Sequence, residues 1–412
     1  MSETTGTTSG AGTTGAGTAV DEPPGTTPGG RGGTPVTGRA LGPRLLRYAV
    51  WAAVLLVLLA VPLYFEPPWL RVGQYAMIGA VGAIGLTLLV GQAGQLSLAH
   101  AFFLLVGGTT YCVLAGTPSE VGENDVVNLG LPPLLALLGS IVVPALLGLA
   151  FAPVSGRLRG IYLGVASLSL VFLGLYLGQS LPSLTGGTAS GRPAPDFTIL
   201  GFEFTGDDPY LAVLGVQLRD DERLWYLFLF LTVAAYVIAQ GAVRGRPGRS
   251  WRAVRDNEAA ASVMGISVTR VKASVFAISS GYAGLAGAMT VLWFGLLKPD
   301  ESEFAGTYSI VVSLAFLGMV IVGGLGSVGG AVLGALLVFA APRALDIWSQ
   351  GDGPLSGFFG DEVAAGAFTP VIITAFVYGA AIILVVLFEP GGLAAIGRRL
   401  AAAVRSRASG RR

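Results

Sequence analysis

Charged side chains, cysteine and histidine are all scarce in this chain. Only 12% of its 412 residues are charged and 53% are hydrophobic, a balance that a water-facing surface would not sustain. A single cysteine cannot form an internal disulfide, and a single histidine leaves almost no material for a zinc cluster or a Ser-His-Asp triad. These shortages argue against a soluble domain and a disulfide scaffold, and they predict no metal site.

Lysine is rarer still, since Lys272 and Lys298 are the only two. The phosphate-binding loop G-x-x-x-x-G-K-[ST] needs a lysine directly after a glycine, and neither lysine has one. No charged residue lies near the middle of a long apolar run, which argues against a proton relay or a voltage sensor, although not against sodium coupling through backbone carbonyls. We therefore predict no enzyme activity and no cofactor bound by this chain.

Apolar runs of membrane-spanning length are abundant. A helix needs roughly 20 apolar residues to cross about 30 Å of hydrocarbon, and lipid offers its backbone no other partner. The 62 glycines suit close helix packing in a membrane. The sequence therefore predicts an all-α polytopic bundle over residues 43–395, with about ten transmembrane helices near 47–65, 72–91, 100–116, 130–152, 161–181, 224–242, 273–296, 308–324, 328–345 and 369–389.

The basic residues predict the orientation, because Lys and Arg concentrate in cytoplasmic loops. With ten spans and the N-terminus inside, the remaining 19 of the 25 basic residues are cytoplasmic once the predicted external loops take Arg71, Arg192, Arg219, Arg223, Lys298 and Arg343. Both termini are therefore predicted to be cytoplasmic.

Three polar segments flank or interrupt the apolar runs. Residues 1–42 are rich in Thr, Gly and Ser and are predicted to form a disordered cytoplasmic tail, and residues 396–412 a basic cytoplasmic tail. The segment 182–223 contains two acidic clusters and the turn-rich run GGTASGRPAP, and is predicted to be an extracytoplasmic loop. Two interpretations of this loop stay open, a solvated connector and a docking surface for a soluble partner.

The segment 244–272, RGRPGRSWRAVRDNEAAASVMGISVTRVK, precedes a predicted span on the cytoplasmic side. Its closely spaced alanines predict a short helix with a small-residue face over 252–266, which a glycine would end. Such a helix fits a groove on a cytoplasmic partner, whereas the alternative is a basic loop that only fixes topology. The candidate coupling residues are Arg252, Arg255, Glu258, Ala260, Ala261 and Gly265.

Two glycine-rich pieces, GQAGQLSLAH at 91–100 and GGLGSVGG at 323–330, interrupt apolar runs. Broken helices in transporters expose backbone groups that contact solute or move during gating, and the alternative is a plain interhelical turn. His100, as the sole histidine, is interpreted as structural. The candidate residues for the translocation path or gate are Gln92, Gln95, Ser97, His100, Gly323, Gly324 and Gly326, with Thr185, Gly186 and Gly187 at an external mouth.

Several of these stretches together resemble one family. The segment 244–272 is similar to the ExAAxxxGI coupling loop of ABC importer permeases, in particular the branched-chain amino-acid permeases of the LivM type. The run 91–108 resembles the family signature GxxGQxSLGHxxFxxxGA, with Ala99 in place of a glycine. Over roughly residues 70–395 further blocks follow in the family's order, RGIYLGVASLSLVFL, PSLTGG, SGYAGLAGAMTVLWFG, MVIVGGLGSVGGAVLGALL and FEPGGL.

This resemblance implies a permease subunit of an ABC importer in a bacterial plasma membrane. The family's usual cargo is a branched-chain amino acid, and relatives carry urea or short amides. The resemblance also implies partners: a second homologous permease, two ATPase subunits that hold ATP and Mg²⁺, an extracytoplasmic substrate-binding protein and membrane lipid, with no nucleic acid. The alternative from another class is a stand-alone, ion-coupled secondary transporter.

Overall fold

The computed structural model describes residues 42–117, 127–158, 160–187, 191–199, 201–205, 212–213, 216–217, 219–299 and 308–349, with scattered residues between 376 and 399. The predicted tail 1–42, the predicted tenth span 369–389 and the predicted tail 396–412 lie largely outside this part. The contacts between residues divide the chain into two compact units, residues 1–53 and 54–412. In the first unit the structure describes only the start of the first helix, and all other described residues belong to the second unit.

Helices dominate the described residues, and nine of the ten predicted spans coincide with them. In two places the backbone adopts the wider π-helical form, π1 at Thr87–Gln92 and π2 at Leu336–Ala340. The α-helices are α1 Gly42–Tyr64, α2 Pro67–Leu86, α3 His100–Ala115, α4 Pro133–Arg157, α5 Ile161–Ser180, α6 Pro182–Thr185, α7 Asp220–Arg244, α8 Arg246–Asp256, α9 Glu258–Val263, α10 Val268–Phe294, α11 Ile310–Gly323, α12 Val328–Ala335 and α13 Ala341–Ser349.

Within the described ranges, 6 helices are long and apolar enough to cross a membrane. They are Pro67–Gln92, Pro133–Arg157, Ile161–Ser180, Asp220–Arg244, Val268–Phe294 and Val328–Leu345, and shorter apolar helices cover Ala49–Tyr64, His100–Ala115 and Ile310–Gly323. The prediction of a helical, polytopic membrane protein is confirmed. The number of ten spans and the location of the termini stay predictions.

Two long helices form the centre of the second unit: α2 with its continuation π1, and α10. In each of them, 89% of the residues in the most apolar stretch of 18 are buried. Close approach between backbones explains the glycines of α10. A Cβ on Gly287 would lie 2.0 Å from the Leu104 carbonyl oxygen of α3, and one on Gly284 would lie 2.1 Å from the Ser140 carbonyl oxygen of α4. Small residues therefore let α3 and α4 pack directly on α10. This is expected in a membrane, where helix association depends on close van der Waals packing because no hydrophobic effect drives helices together.

Local signals set several helix ends. Proline starts α2 and α4, where its missing N–H would have no partner in any case. Three acidic residues occupy the first turn of α7, where they complement the positive end of the helix dipole, and the Glu222 carboxylate accepts a hydrogen bond from the Arg219 N–H at 2.8 Å. Gly295 ends α10 at φ +69°, a conformation that glycine adopts without a steric penalty.

Short strands occur between α5 and α7. The strands β2 Thr198–Ile199 and β3 Phe202–Glu203 form one antiparallel hairpin, and β4 Ala212–Val213 and β5 Val216–Gln217 form another. The strand β1 Arg192–Pro193 pairs instead with β6 Leu296–Leu297, which directly follows α10. The predicted loop 182–223 is thus tied to the end of a central helix.

Candidate functional site

The helix α8 is amphipathic and fixed by one buried aromatic side chain. Trp251 is 1% exposed, and its indole N–H donates to the Ser274 hydroxyl of α10 at 3.4 Å. Val254, one turn further on, is also buried. Because an indole ring buries a large apolar surface, this contact holds α8 against the first turns of α10.

Two of the four arginines of α8, Arg252 and Arg255, reach the end of π1, the segment that continues α2. Arg252 donates to the Gln92 side-chain oxygen at 3.3 Å and to the Val243 carbonyl oxygen at 3.2 Å. Arg255 donates to the Gly91 carbonyl oxygen. Carbonyl groups at the end of a helix have no intrahelical partner, and a guanidinium satisfies them well.

The same end of π1 touches the turn between α11 and α12. The Gln92 amide N–H donates to the Gly326 carbonyl oxygen at 2.7 Å. A Cβ on Gly91 would lie 2.3 Å from the Gly326 backbone nitrogen, so the two backbones are in direct contact. We call Arg252 and Arg255 of α8, Gly91 and Gln92 of π1, and Gly326 of the turn the arginine junction.

The arginine junction unites residues that the sequence assigned to two separate roles. Two of the predicted coupling residues, Arg252 and Arg255, hydrogen-bond the predicted gate residue Gln92 and its neighbour Gly91. Both glycine-rich breaks meet there, although more than 200 residues separate them along the chain. No sequence pattern indicates these contacts, because two of the acceptors are backbone carbonyls, which every residue carries.

The break between π1 and α3 is buried and polar. Gln95 is 4% exposed, and neither atom of its amide has a hydrogen-bond partner among the described residues. The Ser97 hydroxyl accepts from the Ala99 N–H at 3.3 Å. His100 Nε2 lies 2.9 Å from the Gly82 carbonyl oxygen, which can only accept, so the ring nitrogen donates. His100 is thereby fixed to α2, in keeping with its structural interpretation.

The second break is built from glycines in close contact. A Cβ on Gly323 would lie 2.2 Å from the Gly330 carbonyl oxygen, and Gly324 adopts φ +106°. Ser327 then starts α12 by accepting a hydrogen bond from the Gly330 N–H at 3.0 Å. The segment is thus a tight capped turn, with no room for a side chain at Gly323 or Gly330.

The remaining coupling residues lie on and around α9, and here the predicted single helix over 252–266 is wrong. The chain breaks at Asn257, whose side chain caps α9 by accepting from the Ala260 N–H at 3.0 Å, a favoured role for asparagine. Glu258 lies 2.7 Å from the buried Lys272 Nζ of α10. Ala261 is buried and Ala260 exposed, and Gly265 at φ +80° supplies the predicted turn.

Two residues of this segment were not predicted to matter. Val263 is 85% exposed and Met264 is 82% exposed, at the tip between α9 and the start of α10. Apolar side chains this exposed in a polar segment are typical of a contact with another protein. The signal available in the sequence was the pair of large apolar residues directly before Gly265. We call Val263 and Met264 the apolar tip.

The residues predicted to line an external mouth lie just after α5, on α6 and in the turn that follows it. The Thr185 hydroxyl donates to the Gly178 carbonyl oxygen at 2.6 Å, and Gly186 and Gly187 adopt φ +76° and +77°. Thr185 also lines an apolar groove of about 650 Å³ between α3, α4 and α5. A second threonine of this groove, Thr110, likewise donates to a backbone carbonyl oxygen of its own helix. The groove is therefore poorly suited to a charged solute.

Arg192 is a buried residue that sequence analysis placed only in a loop. It is 2% exposed, and its guanidinium donates to the Leu184 carbonyl oxygen at 2.8 Å, to the Cys112 carbonyl oxygen at 2.6 Å and to the Asn128 side-chain oxygen. Burial lowers the pKa of Arg192 from its ordinary value. The residue joins the ends of α3 and α6, so it positions these ends.

The fold and its apolar helices define a multi-pass helical membrane protein. The family described as branched-chain amino acid transport system / permease component matches residues 70–387. The chain therefore belongs to this permease family. In the part of the chain that the structure describes, no group of three His, Cys, Asp or Glu side chains is placed to hold a metal ion.

Curated relatives agree with this assignment. The chain is 29% identical over 295 residues to the high-affinity branched-chain amino acid transport system permease protein LivM of Salmonella typhimurium, and 24% identical over 330 residues to the permease protein BraD of Pseudomonas aeruginosa. The first alignment covers 69% of this chain and 65% of that relative, and the second 79% and 92%. The chain thus spans just under two thirds of the LivM relative. It is also 24% identical over 269 residues to the permease protein LivH of Salmonella typhimurium, an alignment that covers 65% of this chain and 80% of that relative. No solved structure gives a significant match.

Proposed function

We propose that this chain is the membrane-spanning permease subunit of an ATP-binding-cassette importer. One observation carries the proposal: an exposed apolar tip lies at the end of α9, next to α8. Two arginines of α8 hydrogen-bond the first glycine-rich break, and Gln92 of that break bonds the second. A displacement of the apolar tip would therefore be passed through α8 to the glycine-rich breaks between the membrane helices. A stand-alone transporter has no use for such a surface.

The motor is a separate chain. The two lysines of this chain do not fit a phosphate-binding loop, so ATP and Mg²⁺ belong to two partner ATPase subunits. Closure of the ATPases on ATP would press on the apolar tip and displace α9 and α8. The membrane helices would then switch between inward-facing and outward-facing arrangements.

The cargo is a branched-chain amino acid or a related small solute, urea and short amides included. The relatives LivM and BraD, which are named as branched-chain amino acid permeases, support the amino acid. Matches to both LivM-type and LivH-type permeases support a complex in which two similar permeases pair. An extracytoplasmic substrate-binding protein would deliver the solute, and the segment 182–223 is the candidate surface for it.

The topology belongs to the same proposal. Ten spans with both termini in the cytoplasm place α8, α9 and the apolar tip on the inner side of the plasma membrane. The distribution of basic residues supports this orientation, since the segment 244–272 is rich in arginine. On the opposite side, the strands β1 to β6 would face the substrate-binding protein.

Substitution of the apolar tip tests the proposal. We expect the double variant Val263→Asp, Met264→Asp to lose most co-purification with the ATPase subunits and most stimulated ATP hydrolysis, because charges replace the apolar contact. Because both side chains are exposed, the variant should retain the melting temperature of the unaltered chain in detergent. Leu129→Asp, on an exposed apolar residue between α3 and α4, is the control. Full assembly of the tip variant would contradict the assigned docking surface.

A further inference from the structure

Gln92 occupies the centre of the arginine junction. Its side chain is buried, and both ends of its amide are in use. The oxygen accepts from Arg252 of α8 at 3.3 Å, and the nitrogen donates to the carbonyl oxygen of Gly326 at 2.7 Å. One planar group thus links three segments: α8, π1 and the turn between α11 and α12.

We propose that Gln92 is a positioning residue that transmits a displacement of α8 to both glycine-rich breaks at once. This inference rests on the proposed function, because it assigns a mechanical role inside the coupled importer. The amide is rigid, so its two hydrogen bonds cannot both keep their geometry unless Arg252 and Gly326 move together. The helix breaks therefore follow α8 as a pair.

The surrounding backbone supports this role. The Gly91 and Gly326 backbones are in contact, since a Cβ on Gly91 would lie 2.3 Å from the Gly326 nitrogen. Arg255 donates to the Gly91 carbonyl oxygen and Arg252 to the Gln92 side chain, so α8 bonds the end of π1 at two adjacent residues. π-helical segments insert an extra residue into a helix and are frequent at functional sites. The hydrogen bonds from α8 thus reach the π-helical segment that continues α2.

Three other glutamines of the described chain show what sets Gln92 apart. Gln74 of α2 donates to the Asp221 carbonyl oxygen of α7 at 2.7 Å, but its amide oxygen has no hydrogen-bond partner among the described residues. Gln95 is equally buried, but its amide has no hydrogen-bond partner among the described residues. Gln240 donates to the Tyr236 hydroxyl on its own helix, α7, at 3.1 Å. Among these four glutamines, only Gln92 shows bonds to other elements from both ends of its amide, and Gln240, which bonds within its own helix, serves as the control.

Two substitutions distinguish the hydrogen bond of Gln92 to Arg252 from its hydrogen bond to Gly326. Gln92→Leu removes both hydrogen bonds at similar volume. Gln92→Glu keeps an acceptor for Arg252, now charged, but replaces the donor to Gly326 with an oxygen that repels the carbonyl. The two variants and the control Gln240→Leu are assembled with the second permease, the ATPase subunits and the substrate-binding protein in proteoliposomes. ATP hydrolysis and uptake of radiolabelled leucine are then measured on the same preparation.

We expect both Gln92 variants to hydrolyse ATP within about twofold of the unaltered complex while leucine uptake falls about tenfold or more, the size expected from hydrogen bonds that change between states. Gln240→Leu should change neither rate by more than about twofold, since its bond stays within one helix. Adding Arg252→Met to Gln92→Leu should lower uptake by less than a further twofold or so, because the two residues share one bond.

Three results would overturn this inference alone, and a fourth would overturn the proposed function together with it. Normal uptake by Gln92→Leu would show that the two hydrogen bonds of Gln92 are not needed for transport. Normal uptake by Gln92→Glu would show that the hydrogen bond to Gly326 is dispensable. Equal loss of ATP hydrolysis and uptake would assign Gln92 to docking or folding instead. Absence of ATP-dependent leucine uptake in the unaltered complex would contradict the proposed substrate or function, and with it this role for Gln92.

Discussion

Gly287 and Gly318 occupy apolar helices in opposite surroundings. A Cβ on Gly287 would lie 2.0 Å from a backbone carbonyl oxygen of α3, whereas one on Gly318 would meet nothing within 4 Å. We expect Gly287→Ala to destabilise the protein by about 1–3 kcal/mol through overpacking. Gly318→Ala should be neutral or stabilising by up to about 1 kcal/mol, because alanine is the better helix former. Unfolding in detergent checks both, and equal effects would contradict the packing of α3 on α10.

The ion pair of Glu258 and Lys272 is a second feature at the residue scale. Its charged atoms are 2.7 Å apart, the Lys272 side chain is 5% exposed and the Glu258 side chain is 30% exposed. We expect Glu258→Ala to destabilise the protein by about 2 kcal/mol, below the 3–5 kcal/mol of a fully buried pair, because it leaves a buried ammonium group without this partner.

The double variant Glu258→Ala, Lys272→Met provides the control for this prediction. Removing both charges should recover most of the lost stability, since no buried charge then remains unpaired. Thermal unfolding of the purified chain in detergent measures both variants. If the double variant were less stable than Glu258→Ala alone, the ion pair would not be the reason for the effect.

At the scale of elements, the cap of α9 is open to test. Asn257 accepts a hydrogen bond from the Ala260 N–H at 3.0 Å, and α9 has only 6 residues. Loss of an N-cap costs about 1 kcal/mol, so we expect Asn257→Ala to raise amide hydrogen exchange in residues 258–263 by about fivefold. Asn257→Ser, which retains a capping oxygen, is the control. Unchanged exchange in Asn257→Ala would show that the cap does not hold α9.

The sequence predicts long elements better than short ones. Nine apolar stretches coincide with described helices because about 20 apolar residues in a row have few other uses. Neither π1 nor π2 was predicted, since one extra residue per turn leaves no mark on a run that is apolar all round. The predicted helix over 252–266 divides in two because the capping preference of Asn257 outweighs the continuing alanine pattern.

The candidate site was predicted as residues and not as contacts. Arg252, Gln92 and Gly326 were each selected from local patterns, an arginine-rich loop and two glycine-rich breaks. Their hydrogen bonds join positions 160 and 234 residues apart, and a single sequence carries no signal for pairs at such distances. The buried role of Arg192 was missed for the same reason, because its guanidinium donates to carbonyls of distant segments.

At the scale of the whole molecule, the proposed topology makes a direct prediction. Cys112 is free and buried, so Cys112→Ser provides a cysteine-free background. In that background we expect a membrane-impermeant thiol reagent to label Glu66→Cys, between α1 and α2, in intact cells. Met264→Cys in the apolar tip should be labelled only after the cells are opened. Labelling of Met264→Cys in intact cells would place α8 and α9 outside and contradict the proposed coupling.

The central claim is that this membrane protein depends on a separate ATPase. The most direct measurement is leucine accumulation in proteoliposomes that contain the permease pair, the substrate-binding protein and ATP, with and without the ATPase subunits. We predict accumulation against a gradient only when the ATPase subunits are present and ATP is hydrolysed. Accumulation by the permease pair alone, driven by an imposed ion gradient, would contradict the claim.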